Sequence, residues 1–260
     1  IVEIKGEQFY KIENSNTMRP FFMSIVSDSN HWMFISSNGG LTAGRKNAEF
    51  SLFPYYTDDK ITESADITGS KSIFHIHFDN QIHIWEPFSE RFSVHKYAIS
   101  RNLYKNIYGN KIIFEEINHN VGLTYRYQWN SSSKYGFVRK SELQNNSTNQ
   151  YQIEFVDGIQ NIMPYGVSSD LQNASSNLVD AYKRNQLHQK SGLGIFALSA
   201  IIVDKAEPSE ALKSNIVWSL GLKKPNYLVS SLQLSKFRNK EKVTPENDVK
   251  GEKGAYFLHT

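Results

Sequence analysis

Alternation of apolar and polar residues at every second position constrains this chain more than any other feature. It recurs along most of the sequence, in runs rich in aromatic and β-branched residues that are separated by short polar turns. Such runs are typical of strands that bury one face, and their close spacing favours antiparallel pairing. The predicted strands are 21–27, 32–36, 73–78, 81–85, 92–100, 111–118, 121–129, 136–145, 151–156, 194–203, 216–220 and 256–260. We therefore expect an all-β fold, an antiparallel sandwich or barrel.

One segment departs from this alternation. Between residues 168 and 188 the apolar residues recur at steps of three and four, and Ser169-Asp170 supplies a suitable N-cap. This spacing predicts a single amphipathic helix over 168–188, inserted among the strands. Elsewhere the glycines at 109, 122, 136 and 158 are expected close to turns rather than inside strands.

Composition excludes several classes of protein. The 260 residues include 16 Phe, 14 Tyr and 4 Trp, which is ample apolar area for a core, so the chain is not disordered as a whole. The absence of cysteine excludes disulfides, a thiolate nucleophile and cysteine-ligated zinc, but it does not fix the compartment. No apolar run is long enough to span a bilayer, so we expect no membrane partner.

We predict a single β-sandwich domain over 1–260, whose composition changes near its end. Residues 223–260 carry eight Lys or Arg against four Asp or Glu. Because the acidic residues are interspersed, we interpret this part as a solvated lysine-rich loop followed by a final strand, and we expect no nucleic-acid partner. The chain starts at Ile1 and stops within a predicted strand, so we interpret it as a piece of a longer polypeptide.

Three histidines form the strongest metal-like pattern. His75 and His77 are two apart on a predicted strand, and His83 follows across a tight turn. Residues two apart share a face, so three imidazoles could meet. Yet Ile76 and Phe78 indicate that the other face is buried, which leaves the histidines on a polar face. We favour that interpretation and expect neither a metal nor another cofactor.

Catalytic patterns are weak. Glu115 and Glu116 are adjacent on a strand and must point to opposite faces, so they are not an acid/base couple. Asp58 and Asp59 are interpreted as a turn former and a cap. Motifs for a serine nucleophile or a phosphate loop are absent from the sequence.

Aromatic residues suit sugar binding, because a pyranose face stacks on a flat ring. The candidates are the four tryptophans and the segment Phe53-Pro54-Tyr55-Tyr56. Most aromatic residues of a sandwich pack in its core. Tyr55 and Tyr56 are the exception, because adjacent rings cannot both face one core, so at least one is expected at a surface.

A longer stretch surrounds this pair. It reads Trp32-Met-Phe-Ile-Ser-Ser-Asn-Gly-Gly-Leu-Thr-Ala-Gly-Arg45-Lys-Asn47, and it continues to Pro54-Tyr55-Tyr56-Thr-Asp58-Asp59-Lys60-Ile61. It resembles the N-terminal domain of cellobiose- and chitobiose-type phosphorylases and related carbohydrate-active enzymes. The runs 124–129 and 136–147 resemble the strands that follow in such domains, and the resemblance covers most of residues 20–222.

This resemblance implies a galactose-mutarotase-like supersandwich. In such enzymes the domain precedes a catalytic (α/α)6-barrel, helps to shape the sugar site and in several members forms homodimer contacts. It therefore implies a non-catalytic, carbohydrate-binding or scaffolding module of a larger glycoside phosphorylase or hydrolase. By this hypothesis the carbohydrate-binding residues are Arg45, Tyr55, Tyr56, Asp58 and Asp59, and the partners are a sugar or oligosaccharide and a downstream barrel.

Two alternatives stay open at this point. The first is a structural interaction module whose exposed aromatic residues dock a subunit or another domain. The second is a free-standing epimerase or lyase that uses His75, His77 and His83.

Overall fold

The structure is a computed structural model that describes residues 1–91, 96–200 and 213–260. Within these ranges strands outnumber α-helices by eighteen to four, which confirms the all-β prediction. The strands are β1 (Val2–Ile4), β2 (Glu7–Ile12), β3 (Phe22–Ile25), β4 (His31–Ser36), β5 (Leu41–Arg45), β6 (Gly69–Phe78), β7 (Gln81–Trp85), β8 (Ile99–Asn106), β9 (Lys111–Asn118), β10 (Leu123–Ser132), β11 (Gly136–Asn145), β12 (Gln152–Ile162), β13 (Lys183–His188), β14 (Leu193–Leu198), β15 (Asn215–Val217), β16 (Asn226–Ser230), β17 (Asp248–Lys250) and β18 (Gly254–His259). The helices are α1 (Asp58–Glu63), α2 (Ser169–Ala174), α3 (Ser176–Tyr182) and α4 (Leu234–Arg238).

The strands form four antiparallel sheets. The six-stranded sheet has the order β1-β2-β8-β9-β10-β11, and the five-stranded sheet the order β16-β18-β12-β6-β7. A four-stranded sheet has the order β15-β14-β13-β17, and a three-stranded sheet the order β3-β4-β5. Neighbouring strands are mostly joined by short turns, as the sequence pattern predicts.

One hydrophobic core joins these sheets. It takes buried side chains from each of them, including Ile35 of β4, Phe74 of β6, Phe114 of β9 and Phe196 of β14. The six- and five-stranded sheets meet directly, because the rings of Phe74 and Tyr125 lie 5.2 Å apart. The core thus lies between sheets rather than inside any one of them.

A buried ion pair also connects the two large sheets. The guanidinium of Arg139 on β11 lies 2.7 Å from the carboxylate of Asp157 on β12, and the hydroxyls of Ser72 and Tyr125 donate to the same carboxylate. Burial alone would raise the pKa of Asp157, but the charge and hydrogen bonds of Arg139 hold that pKa below its usual range. Each charge is therefore satisfied although only 10% of the Arg139 side chain and 11% of the Asp157 side chain stay exposed.

The predicted helix over 168–188 is wrong in extent. The segment forms α2 and α3, separated by Ser175, whose φ of −142° is not helical. The Ser168 hydroxyl accepts a hydrogen bond from the Leu171 amide and caps α2. Residues 183–188 form β13 instead, because pairing with β14 and β17 prevails over the local helical spacing.

Several predicted strands also differ in position. The strand predicted over 92–100 begins at Ile99 and runs to Asn106, with 92–95 outside the described residues. The strand predicted over 194–203 ends at Leu198, and 201–203 lie outside the described residues. Gly158 lies inside β12 rather than near a turn. A Cβ there would approach the Tyr256 carbonyl oxygen to 2.0 Å, so a glycine is needed for the close approach of β18.

The lysine-rich region beyond residue 223 is not a loop throughout. It supplies β16 and α4, and Leu234 and Phe237 of α4 are buried against the outer face of the five-stranded sheet. Lys236 between them is exposed, so the charged residues occupy the solvent side of a short packed helix. The interpretation as a loop rested on the number of lysines and overlooked that Leu234 and Phe237 are three residues apart.

In the part of the chain that the structure describes, no helix is long and apolar enough to cross a membrane.

Candidate functional site

The candidate site begins on the outer face of the three-stranded sheet. Trp32 and Phe34 are two apart on β4 and therefore share a face. Trp32 pairs with Gly44 of β5, where a Cβ would lie 2.5 Å from the indole and 2.6 Å from the Phe50 carbonyl oxygen. The glycine of the Thr-Ala-Gly-Arg sequence is thus what allows Trp32 and the segment after β5 to pack together.

Tyr55 is held next to Trp32 through its backbone. Gln172 of α2 accepts a hydrogen bond from the Tyr55 amide at 3.2 Å and donates one to the Tyr55 carbonyl oxygen at 3.1 Å. The Gln172 side chain is buried, so this pair of bonds is shielded from water. The edge of the Tyr55 ring meets the Trp32 ring with the two centroids 5.7 Å apart, and 40% of Tyr55 stays exposed.

Further rings extend this surface. The Trp32 and Phe34 rings lie 6.2 Å apart, and Phe50 lies 6.4 Å from the ring of Tyr165. Lys46 places its ammonium 5.3 Å from the Phe50 ring. We call the set the aromatic surface, and its members are Trp32, Phe34, Phe50, Tyr55 and Tyr165.

Tyr56 has a different environment from Tyr55. Its side chain is half-buried, and the Lys60 ammonium lies 5.9 Å from its ring. Burial raises the pKa of Tyr56, and the charge of Asp180 raises it further. The prediction that at least one of the two tyrosines reaches the surface is confirmed by Tyr55.

Asp58 and Asp59 form the first turn of α1, so their interpretation as a turn former and a cap is wrong. Both are exposed, and the hydroxyl of Thr57 donates to Asp59 at 2.5 Å. This hydrogen bond lowers the pKa of Asp59, with help from the Lys60 amide. Carboxylates in the first turn of a helix interact favourably with its free amides.

The position of α1 depends on the Asn38-Gly39-Gly40 turn. The Asn38 side chain donates to the Thr62 carbonyl oxygen at 2.9 Å. A Cβ at Gly40 would lie 2.1 Å from the Ile61 carbonyl oxygen, so α1 packs directly on the glycine backbone. This turn therefore fixes the helix that carries the two carboxylates.

Arg45 lies apart from the aromatic surface. It pairs with His31 across the sheet, whereas its neighbour Gly44 pairs with Trp32, so Arg45 and Trp32 occupy opposite faces. Its guanidinium donates to the Asn30 side chain at 3.3 Å. Burial and the charge of Arg45 lower the pKa of His31. The structure thus brings Tyr55 to Trp32 but places Arg45 on the other side of β5.

The three histidines of the predicted metal-like pattern do not meet. His75 and His77 share a face as predicted, but His83 pairs with Ile76 and lies on the other face. The expectation that this histidine face is the unburied one is also wrong, because 2% of His75 is exposed. Among the described residues no group of three or more His, Asp or Glu is arranged to hold a metal ion.

A different group surrounds His75 instead. Glu154 of β12 lies 3.5 Å from Nδ1 of His75 and 3.0 Å from Nε2 of His259 on β18. The ring of Phe237 stacks on His75 with the centroids 3.9 Å apart. Burial lowers the pKa of His75, although Glu154 opposes the effect. No local pattern connects these strands, so the sequence gives no signal for this cluster.

Glu115 and Glu116 point to opposite faces, as predicted. Glu116 accepts hydrogen bonds from Trp85 at 2.8 Å and from Arg101 at 2.7 Å. Glu115 accepts one from Tyr104 at 2.8 Å and pairs with Arg126. Both carboxylates are buried and occupied by structural partners.

Sequence reasoning found some members of the aromatic surface and missed others. Tyr55 and Trp32 were candidates, while Trp85 and Trp129 prove to be core residues. Phe34 could have been found from its spacing of two from Trp32. Gln172 had no signal, because it lies 117 residues from the backbone it binds.

Comparison with known proteins gives no assignment. A scan against protein-family models finds no match. A search of curated proteins finds no significant match either.

Proposed function

We propose that this chain is a non-catalytic carbohydrate-binding module and that the aromatic surface is its sugar site. The observation that carries this proposal is the group of rings around Trp32 and Tyr55, of which Phe34, Phe50 and Tyr55 are exposed, with the Tyr55 backbone fixed by Gln172. A flat ring offers a sugar its apolar face, and a fixed backbone reduces the entropy lost when the sugar binds. The module's full fold would be the galactose-mutarotase-like supersandwich, built from the two large antiparallel sheets.

Polar groups around the rings support the same ligand. Asn47 and Glu49 are exposed in the segment after β5, where Glu49 accepts a hydrogen bond from Ser169 of α2. Asp58 and Asp59 are exposed in the first turn of α1. Amide and carboxylate groups hydrogen-bond hydroxyls, so a sugar stacked on Tyr55 would meet acceptors at its rim. Tyr56, being half-buried, would position Lys60 rather than stack on the ligand.

The wider proposal places this module in a glycoside phosphorylase or hydrolase, before a catalytic barrel that carries the general acid. It rests on the resemblance of residues 32–61 to such domains and on the all-β architecture. In that arrangement the module would supply sugar contacts and the barrel the chemistry.

The test is a titration of the chain with cellobiose and with chitobiose, in which calorimetry measures the binding affinity. Tyr55→Ala should weaken binding by about tenfold, the effect of losing roughly 1.4 kcal/mol. Tyr55→Phe should bind like the wild type, because it keeps the ring. Tyr108→Ala is the matched control, since Tyr108 is an exposed tyrosine outside the aromatic surface.

Arg45→Ala separates this proposal from the five-residue site expected from the sequence. Arg45 lies on the opposite face of β5, so its removal should leave sugar binding unchanged. No sugar binding by the wild-type chain, or equal losses in Tyr55→Ala and Tyr108→Ala, would reject the proposed site.

A further inference from the structure

The outer strand of the four-stranded sheet, β15, and the five residues that follow it contain four exposed apolar residues. Among the described residues β15 pairs with β14 alone, so its other edge presents unpaired backbone groups. Ile216 lies on β15, and Trp218, Leu220 and Leu222 follow the strand at every second position. All four are exposed. Leu220 is 90% exposed. We call this row the apolar edge.

The apolar edge extends to a neighbouring turn. The ring of Trp218 meets that of Tyr135, between β10 and β11, with centroids 6.3 Å apart. Tyr135 is itself exposed. Isolated exposed apolar residues are common, but a contiguous group beside a free strand edge is typical of an interaction site.

Charge identifies the kind of partner. Lys213, whose ammonium lies 5.4 Å from the Tyr165 ring, precedes the apolar edge. Lys223 and Lys224 follow it, and the sequence has no Asp or Glu from 213 to 224. Lys134 adds a fourth ammonium beside Tyr135. None of these four lysines lies within salt-bridge distance of a carboxylate in the described ranges. A second copy paired antiparallel would bring lysines against lysines, which disfavours self-association.

We propose that the apolar edge binds an extended segment of a partner protein by strand addition, a segment with alternating apolar residues and carboxylates at both ends. The partner backbone would pair with the free edge of β15, and its apolar side chains would pack along Trp218 and Leu220. Its carboxylates would meet the lysines at the two ends. This mode of recognition obtains affinity from main-chain hydrogen bonds and specificity from alternate side chains.

The experiment uses the full chain and a synthetic peptide of alternating valine and threonine with two carboxylates at each end. Binding should shift the Trp218 emission to shorter wavelength as the indole leaves water, and Trp218→Phe should abolish that shift. The same peptide with two lysines at each end, and one with proline at its centre, should bind at least about tenfold more weakly.

Two variants locate the site on the chain. Leu220→Asp should weaken binding, whereas Leu232→Asp is the matched control, an exposed leucine elsewhere. The double change Lys223→Glu and Lys224→Glu should reverse the preference towards the lysine-ended peptide. The same change at Lys240 and Lys242, two exposed lysines outside the edge, should not.

Three results would overturn the inference. The first is no binding of the acidic peptide, and the second is equal binding of the acidic and lysine-ended peptides. The third is a dimer of the chain alone that Leu220→Asp dissociates, because the occupant would then be a second copy.

Discussion

Single residues set the positions of the rings on the aromatic surface. Gly44 shows how: its missing side chain leaves room for both the Trp32 indole and the Phe50 backbone. The sequence analysis did not single out Gly44. Its necessity comes from a contact between β4 and the segment after β5, which no local pattern reports.

Gly44→Ala should lower the free energy of unfolding by about 3 kcal/mol, the upper part of the range for an overpacked site. The added Cβ would meet backbone atoms, which cannot move aside as a flexible side chain could. Urea unfolding followed by circular dichroism measures the change. Gly136→Ala is the control, because nothing lies within 4 Å of its Cβ and only its positive φ costs energy, roughly 1 kcal/mol. Equal losses for the two variants would contradict this account of Gly44.

His75 should make the stability of the protein depend on pH. Its pKa in the folded state lies below the ordinary value of 6.5, chiefly because of burial, while Glu154 opposes the shift and His77 adds to it. A depressed pKa contributes stability above the unfolded pKa and loses it as pH falls through 6.5 towards the folded pKa. Unfolding measured from pH 7.5 down to pH 5 should therefore show a smaller decline in His75→Gln than in the wild type. A decline that is unchanged in the variant would show that other groups cause it.

At the scale of elements, the positions of strands were easier to predict than those of helices. Residues 81–85, 111–118 and 136–145 were predicted with the bounds that the structure has, because alternation and turn residues mark them locally. The helix expected over 168–188 is interrupted at Ser175, and residues 183–188 form a strand. Pairing with β14 and β17 determines the structure of that segment. The candidate site was predicted only in part for the same reason: Tyr55 is in a recognisable stretch, but Gln172 lies in a different element.

The contact between the six- and five-stranded sheets should depend on the Arg139–Asp157 pair. Asp157→Asn leaves a buried guanidinium without its charge partner, which costs about 3–5 kcal/mol. Thermal and urea unfolding measure this loss. Asp248→Asn is the matched control, because Asp248 and Arg184 form an exposed ion pair, and its loss should be much smaller. A small effect at Asp157 as well would mean that apolar packing alone holds the two sheets together.

In the described ranges the four sheets share one large hydrophobic core, and the sequence has four tryptophans. Trp32 lies in the three-stranded sheet, Trp85 in the five-stranded and Trp129 in the six-stranded sheet, while Trp218 directly follows β15 of the four-stranded sheet. Because buried residues of every sheet contact one cluster, we expect the sheets to lose their structure together.

Urea unfolding should therefore give coincident transitions by tryptophan fluorescence and by far-ultraviolet circular dichroism. The single change Trp32→Phe or Trp218→Phe removes one reporter and should leave the midpoint of the remaining fluorescence transition matched to the dichroism. Separate midpoints in any of these samples would show that the sheets unfold as independent units.

The bond between Gln172 and the Tyr55 backbone has a consequence for protein synthesis. The two residues lie 117 positions apart, so the ribosome must add that many residues after Tyr55 before its partner exists. At roughly 5–20 residues per second this takes about 6–23 seconds. During that interval the nascent chain contains β4 and β5 with their aromatic side chains, but it lacks the two hydrogen bonds between Gln172 and the Tyr55 backbone. A chaperone or a translational pause that acts before Gln172 is added would therefore encounter an unfinished binding surface, and one that acts afterwards would encounter a finished one.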